Sequence, residues 1–564
     1  MLRKRDHRDD EDDFHLGVSR RYCKSGSSKW LTTSFTRPVL DNQPGRGKGP
    51  SLMDLCIRKI CEDIDKYNTF SMLPRDISQQ IINELVYSGC LTDVSFEGFR
   101  DCALQDLYLG EYPGVNDCWM DVISSQGSSL LSLDLSGSDV TDNGLIFLKD
   151  CTSLQALNFN YCDHISDHGL GHISGLSSLT NLSFRRNSAI TAHGMSAFAN
   201  LINLIKLDLE KCPEIHGGLV HLQGLTKLES LNIKWCNCID DADMKPLSGL
   251  TNLKCLQVSC SKVTDFGITY LKGLHKLSLL NLEGCPVTAA CLDSLSGFGN
   301  LKVLNLGFTD ITDACLVHLK GLTNLESLNL DSCRIGDEGL VNLTGLQHLK
   351  CLELSETEVG SNGLRHLSGL INLESINLSF TVVTDSGLRK LSGLLSLKSL
   401  NLDARQITDT GLAALTSLTG LTHLDLFGAR ITDSGTHYLR SFKNLRSLEI
   451  CGGGLTDAGI KNIKDLSSLT LLNLSQNCNL TDKALELISG LTGLISLNVS
   501  NSRITNSGLR HLKTLKNLKS LTLESCKVTA NEIRKLQLTD LPNLILAAWT
   551  YNYVYKYIME EICI

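Results

Sequence analysis

Cys236, Cys238, Cys255 and Cys260 lie in one short stretch, and four thiolates are a ligand set that zinc accepts in a tetrahedral site. No second pair at finger-like spacing follows Cys236-Asn-Cys238, so no metal is expected. His318, His366 and His511, three of fifteen histidines, recur at equivalent places in successive copies of a repeat. That regularity marks an outer packing surface rather than a general base or a ligand. There is no phosphate-cradling glycine loop with its lysine and no nucleophile elbow. The expectation is a protein that binds rather than catalyses, with no cofactor.

The elements that must present any binding residues follow a period. Eighteen leucines, from Leu104, Leu130 and Leu154 to Leu494 and Leu518, are spaced 24 to 26 residues apart. Each opens the phrase seen in Leu397-Lys-Ser-Leu400-Asn-Leu402, whose alternation predicts a short strand with its leucines turned inward. Ile407-Thr408-Asp409-Thr-Gly411-Leu412 follows, with Thr408 or Asp409 able to cap a helix whose Leu412 and Leu415 share a face. Strands stack at about 4.8 Å while helices need about 10 Å, so a stack of such units bends with the strands inside. The fold class is α/β, a leucine-rich repeat solenoid of about 18 repeats. It is expected to be a horseshoe with a parallel sheet on its concave face and helices on its convex face.

Four segments are expected: a disordered charged tail over 1–50, a helical cap or adaptor-docking segment over 51–100, the solenoid over 101–546, and a cap or tail over 547–564. Leu104 marks an atypical first repeat and Leu544-Ile-Leu-Ala547-Ala-Trp549 a degenerate last strand. Then Tyr551, Tyr553, Val554, Tyr555, Tyr557, Ile558 and Met559 crowd into a short amphipathic tail.

The net charge is −8, and the excess of 11 Lys+Arg over 7 Asp+Glu in residues 1–50 leaves about −12 on the rest. That sign disfavours nucleic acid as a partner of the repeats. No apolar run of membrane-spanning length and no secretory start is present, so no membrane anchor is expected and the protein is expected in the cytoplasm. Arg3-Lys4-Arg5 and Arg20-Arg21 could also serve nuclear import. Sequons such as Asn377-Leu-Ser379 and Asn498-Val-Ser500 arise from the strand phrase itself and carry no case for glycosylation.

Three positions past the strand phrase, many repeats carry a small residue: Cys162, Asn187, Cys212, Cys236, Cys285, Thr309, Cys333, Thr357, Thr381, Asn477 and Cys526. Such a side chain can pack inside or bond the neighbouring backbone. With the recurring Ile/Val-Thr-Asp-x-Gly-Leu, residues 100–545 resemble the cysteine-containing class of leucine-rich repeats, known from intracellular F-box/leucine-rich-repeat proteins.

A second resemblance lies just before the repeats. Ser51 can cap a helix bearing Leu52, Leu55, Cys56, Ile60 and Ile64 on one face, and Pro74 starts another. Ser51-Leu52-x-x-x-Cys56-x-x-x-Ile60 is similar to the elongin-C-binding box of ubiquitin-ligase substrate receptors. Leu73-Pro74-x-x-Ile77-x-x-x-Ile81 is similar to the cullin-contact box that follows it in von Hippel-Lindau-type receptors. Leu73-Pro74 to Leu85 also resembles the opening helix of an F-box, although the expected tryptophan is not visible before the repeats. These resemblances imply a substrate-recognition subunit that docks elongin C or the F-box adaptor through Leu52, Cys56, Ile60, Leu73, Pro74, Ile77 and Ile81. The competing readings are a structural cap and an adaptor-independent scaffold or signalling regulator.

On the concave wall, Asp134, Asn158, Ser183, Asp208, Asn232 and their equivalents to Thr522 read as the central exposed column, which never carries Lys or Arg. Beside it, Tyr161, Arg185, Arg186, Lys206, Lys211, Lys234 and Trp235 fall on four adjacent strands and their exits. Arginine and aromatic side chains anchor interfaces, so these residues are expected to form a basic platform for a protein partner.

Overall fold

The computed structural model describes residues 51–403 and 406–546. The tails over 1–50 and 547–564, with their basic and aromatic clusters, lie outside the described residues.

Each leucine phrase forms a three-residue strand. β1 (Asp106–Tyr108), β2 (Ser132–Asp134), β3 (Ala156–Asn158), β4 (Asn181–Ser183), β5 (Lys206–Asp208) and β6 (Ser230–Asn232) open a parallel sheet of 19 strands that ends at β19 (Ile545–Leu546). Successive strands pair in register, Leu107 opposite Leu133 and Leu133 opposite Leu157. The sheet stays open, and the anchor leucines are buried between it and the convex layer. No repeat encloses its leucines alone, so stability comes from neighbours.

The convex layer is tighter than a run of α-helices. Asp409–Ala414 and Asp457–Ile463 are α-helical, whereas Gly194–Asn200, Gly435–Ser441 and Gly508–Thr514 are 3-10 segments. A 3-10 turn rises about 2.0 Å per residue against about 1.5 Å in an α-helix, so it covers more length with few residues.

The Thr-Asp-x-Gly motif joins repeats. Thr408 caps its own helix by accepting the Thr410 N–H. The aspartate reaches forward instead: Asp385 accepts the Thr408 N–H at 2.8 Å and the Thr408 hydroxyl at 2.6 Å. The same pair of hydrogen bonds ties Asp142 to Ser166, Asp241 to Thr264, Asp433 to Thr456 and Asp482 to Thr505. The motif glycine makes room for that carboxylate, since a Cβ on Gly267 would stand 2.5 Å from Asp241 Oδ1.

Helices α1 (Leu52–Glu62), α2 (Arg75–Ser88) and α3 (Asp93–Glu97) precede the first strand, and α4 (Asp117–Ser124) is the first repeat's own convex helix. Ser51 and Asp54 form a capping box on α1, and Pro74 precedes α2. Gln79 of α2 closes the sheet edge: its Oε1 accepts the N–H groups of Gln105 and Asp106 at 3.0 and 3.2 Å, and its Nε2 donates to the Asp106 carbonyl at 2.6 Å. An open edge is a template for unwanted pairing, and one glutamine answers it.

Candidate functional site

The central concave column is not exposed. Asp134, Asn158, Asn232, Asn473 and Asn498 are buried because each side chain bends back to accept the N–H two residues on. Only a short side chain with an acceptor oxygen closes that turn, which is why Asn and Asp predominate there and Lys and Arg do not occur. Asn377 Oδ1 accepts the Ser379 N–H in the same way at 3.1 Å, and the side chain is buried, so its sequon is not presented to solvent.

The basic platform divides into two columns of different character. Arg185 and Lys234, on the inner column, are not free cations. Arg185 pairs with Asp208, with Glu210 at 3.8 Å, and Lys234 lies 4.0 Å from Glu210. Their side chains are 16% and 7% exposed, so the charge is spent inside the wall. Lys206 is half-buried on β5. The outer column, at the strand exits, holds Tyr161, Arg186, Lys211 and Trp235 in succession. The Arg186 guanidinium lies over the Tyr161 ring and the Lys211 ammonium over the Trp235 ring, each 5.6 Å from the centroid. Phe308 and Phe380 occupy the same column further along, half-exposed or exposed rather than turned inward. At the opposite, strand-entry rim of the same repeats runs a polar trough lined by Gln155, Thr180, Asn203, Ile205 and Lys227.

Burial also leaves its mark on the wall's acids. Desolvation, with Glu356 and Glu283 nearby, pushes the Asp331 carboxyl up to about 6. Desolvation, then Asp425, raises Glu449 in the same way. A raised carboxyl binds more protons folded than unfolded, so these groups add stability as pH falls through their folded values. His216, raised chiefly by its bond to Asp243, acts in the same direction. Glu326, held at about 2 by Lys302 and Lys350, begins to lose its contribution only near its unfolded value of 4.5 and below. The melting temperature is therefore expected to rise between about pH 7.5 and 5.5, and Asp331→Asn to flatten that rise. A fall in calorimetry over this window would contradict the assignment.

The thiols in register along the repeats are packing groups. Cys236 donates to the Leu209 carbonyl and Cys238 to the Cys212 carbonyl, one repeat back in each case. Cys162, Cys212 and Cys333 make the same bond, and burial pushes the Cys212 thiol up to about 12. Buried and protonated, they are inert. One cluster, His216, Asp240 and Asp243, has ligand atoms within 4.8 Å of one another. It repairs the inter-repeat bond. Here the motif aspartate is replaced by Gly217 and the next repeat's glycine by Asp243, so the pair is inverted. Asp243 reaches back to the Gly217 N–H at 2.7 Å and His216 Nδ1 at 2.8 Å. Asp243→Ala is expected to lower stability by about 1–3 kcal/mol, with added divalent metal having no effect on melting. Metal-dependent melting would contradict the repair.

The segment before the repeats separates the proposed adaptor residues. Leu52 and Cys56 are exposed on one side of α1, with Leu55 beside them. Ile60 is half-buried; Ile57, off the predicted face, packs inward, and Ile64, expected on that face, lies past the end of α1 and is buried as well. Leu73 and Pro74 are exposed and Ile77 is half-buried. Ile81 is fully buried with Ile82 and Leu85, so its side chain is core and cannot touch an adaptor. The periodicity of α2 is that of a helix seated on the solenoid.

Leucine-rich repeat family profiles match residues 443–504 and, in a second form, 128–149, 150–174, 224–248, 321–343, 345–368, 369–392 and 418–436. The chain is a leucine-rich repeat protein. Similar solved structures include an internalin from Listeria monocytogenes, 29% identical over 58% of this chain and 88% of that one, with a TM-score of 0.48. A leucine-rich repeat protein of Leptospira interrogans is 22% identical over 76% and 92%, with a TM-score of 0.40. The mouse RP105/MD-1 complex is 18% identical over 81% and 85%, with a TM-score of 0.48. No curated protein matches the sequence. Among the described residues no helix is long and apolar enough to cross a membrane.

Proposed function

We propose that the protein is a non-catalytic intracellular interaction protein, the substrate-recognition subunit of a ubiquitin ligase in ubiquitin-dependent protein catabolism. α1 docks elongin C, or the F-box adaptor in the alternative form, and the repeats hold the protein to be modified. What supports this reading is the exposed row Leu52, Leu55 and Cys56, carried by a helix that already packs through Ile57, with Ile60 and Cys61 partly buried beside it. A helix serving only as a cap gains nothing from apolar groups on its solvent side, whereas a helix-in-groove contact uses them. The full chain, captured from cytoplasmic and nuclear extracts, is expected to bring elongin C or the F-box adaptor with it. If neither accompanies it, the second reading stands: an adaptor-independent scaffold or signalling regulator. Gln79, which ties α2 to the edge of β1, favours that reading.

A further inference from the structure

We propose that the strand-exit rim of β3 to β6 binds an extended acidic segment of a partner protein, its carboxylates over Arg186 and Lys211 and its apolar side chains against Tyr161 and Trp235. The inference deepens the reading of the repeats as the partner-holding surface and rests on it. Four observations carry it.

The four residues occupy one structural position in four consecutive repeats, each in the left-handed region with φ between 59 and 62°. The same position is glycine at Gly137, Gly284, Gly428 and Gly452. Other repeats also hold a side chain there at positive φ, among them Glu111, Cys260, Phe308, Glu356 and Phe380, so what sets these four apart is an unbroken run of aromatic and cationic groups at a position where bulky side chains carry a backbone cost. Their backbones are already satisfied: Tyr161, Arg186, Lys211 and Trp235 donate their N–H groups to the carbonyls of Arg185, Glu210, Lys234 and Ser259 at 2.8 to 2.9 Å. Only the side chains are on offer.

Charge is the second observation. Several other cations of the array meet carboxylates of an adjoining repeat, as Arg185 does Asp208, Lys254 does Glu229, and Lys398 does Glu374. Arg186 and Lys211 are adjacent in the column and each contacts an aromatic face instead. A cation on a ring keeps its charge available to an anion above it, and the ring holds it in place beforehand.

Spacing selects the shape of the ligand. Strands about 4.8 Å apart put Tyr161 and Trp235 about 14 Å from each other, the reach of roughly five residues of extended chain. The acids behind the rim, Asp208, Glu210 and Glu283, select its charge density. With Arg185 and Lys234 already paired to them, they leave no net positive charge for a continuous polyanion such as nucleic acid, while two carboxylates placed over Arg186 and Lys211 need none.

The test uses the full chain and a fluorescent octapeptide alternating glutamate with phenylalanine, its lysine-for-glutamate counterpart, and a single-stranded oligonucleotide. The glutamate peptide is expected to bind. Arg186→Gln with Lys211→Gln should weaken it about tenfold or more and flatten its salt dependence. Tyr161→Ser with Trp235→Ser should weaken it while leaving the salt dependence in place. Preference for the lysine peptide or the oligonucleotide, or binding unchanged in variants whose circular dichroism is intact, overturns the proposal. Adaptor capture is scored in the same preparations. Loss of capture with peptide binding intact sinks only the receptor reading, and capture intact with peptide binding indifferent to Arg186 and Lys211 sinks only this one.

Discussion

Gly267→Ala is expected to destabilise its repeat by about 2–4 kcal/mol, on the scale of a core mutation although no core atom is removed. The added methyl would stand 2.5 Å from Asp241 Oδ1, 2.9 Å from Val263 Cγ1 and 3.1 Å from Met244 Cγ. Moving the carboxylate aside breaks its bonds to the Thr264 N–H at 2.7 Å and hydroxyl at 2.6 Å. Asp241→Ala alone should cost about 1.5–3 kcal/mol, since both bonds are to a charged acceptor. The double variant should be less damaged than the sum by about 1–3 kcal/mol, because removing the carboxylate removes much of the clash. Repeat arrays need not melt as one unit, so the quantity to read is the local opening free energy from amide exchange around Leu256 and Leu280. Strict additivity would show that the glycine is there for some other reason.

That prediction could not have been made from the sequence. The leucine anchors were legible because a strand has a fixed period of two and the repeat a fixed length, so Leu397, Leu400 and Leu402 announce their own burial. The small-residue turn position was equally legible from its register. The partners of Asp241, by contrast, are Thr264 and Gly267 in the following repeat. Read locally, the aspartate looks like a helix cap for its own repeat, and nothing in the string distinguishes the two.

The concave wall failed to read for a related reason. Alternation tells which face Asn158 or Asn232 points to, but not that each bends back onto the N–H two residues on. The platform was overcounted because cations can be counted in a sequence and their pairing cannot. Arg185 is cancelled from the next strand by Asp208. What remained legible was the aromatic and cationic composition of the exit column. On α1 the apolar spacing admitted two faces, and the buried one turned out to be that of Ile57, with Ile60 and Cys61 at its border.

Leu52→Glu with Cys56→Glu should weaken adaptor binding by about a hundredfold or more, because a charge entering an apolar groove without a partner is not tolerated. The fold should hardly notice. Leu52 is 79% exposed, and substitutions at such positions change stability by no more than about 0.5 kcal/mol. Ile81→Glu is the converse control: fully buried between α2 and the first repeat, it should unfold the cap and lose binding only together with structure. Loss of binding in both with loss of structure in both would mean that Leu52 and Cys56 act through the cap alone.

The most direct measurement is a calorimetric titration of purified elongin C, and separately of the purified F-box adaptor, into the full chain. One of the two is expected to bind saturably at one-to-one stoichiometry, and Leu52→Glu with Cys56→Glu to abolish the heat while amide protection of the repeats is unchanged. Silence from both adaptors, or binding indifferent to Leu52 and Cys56, would contradict the account.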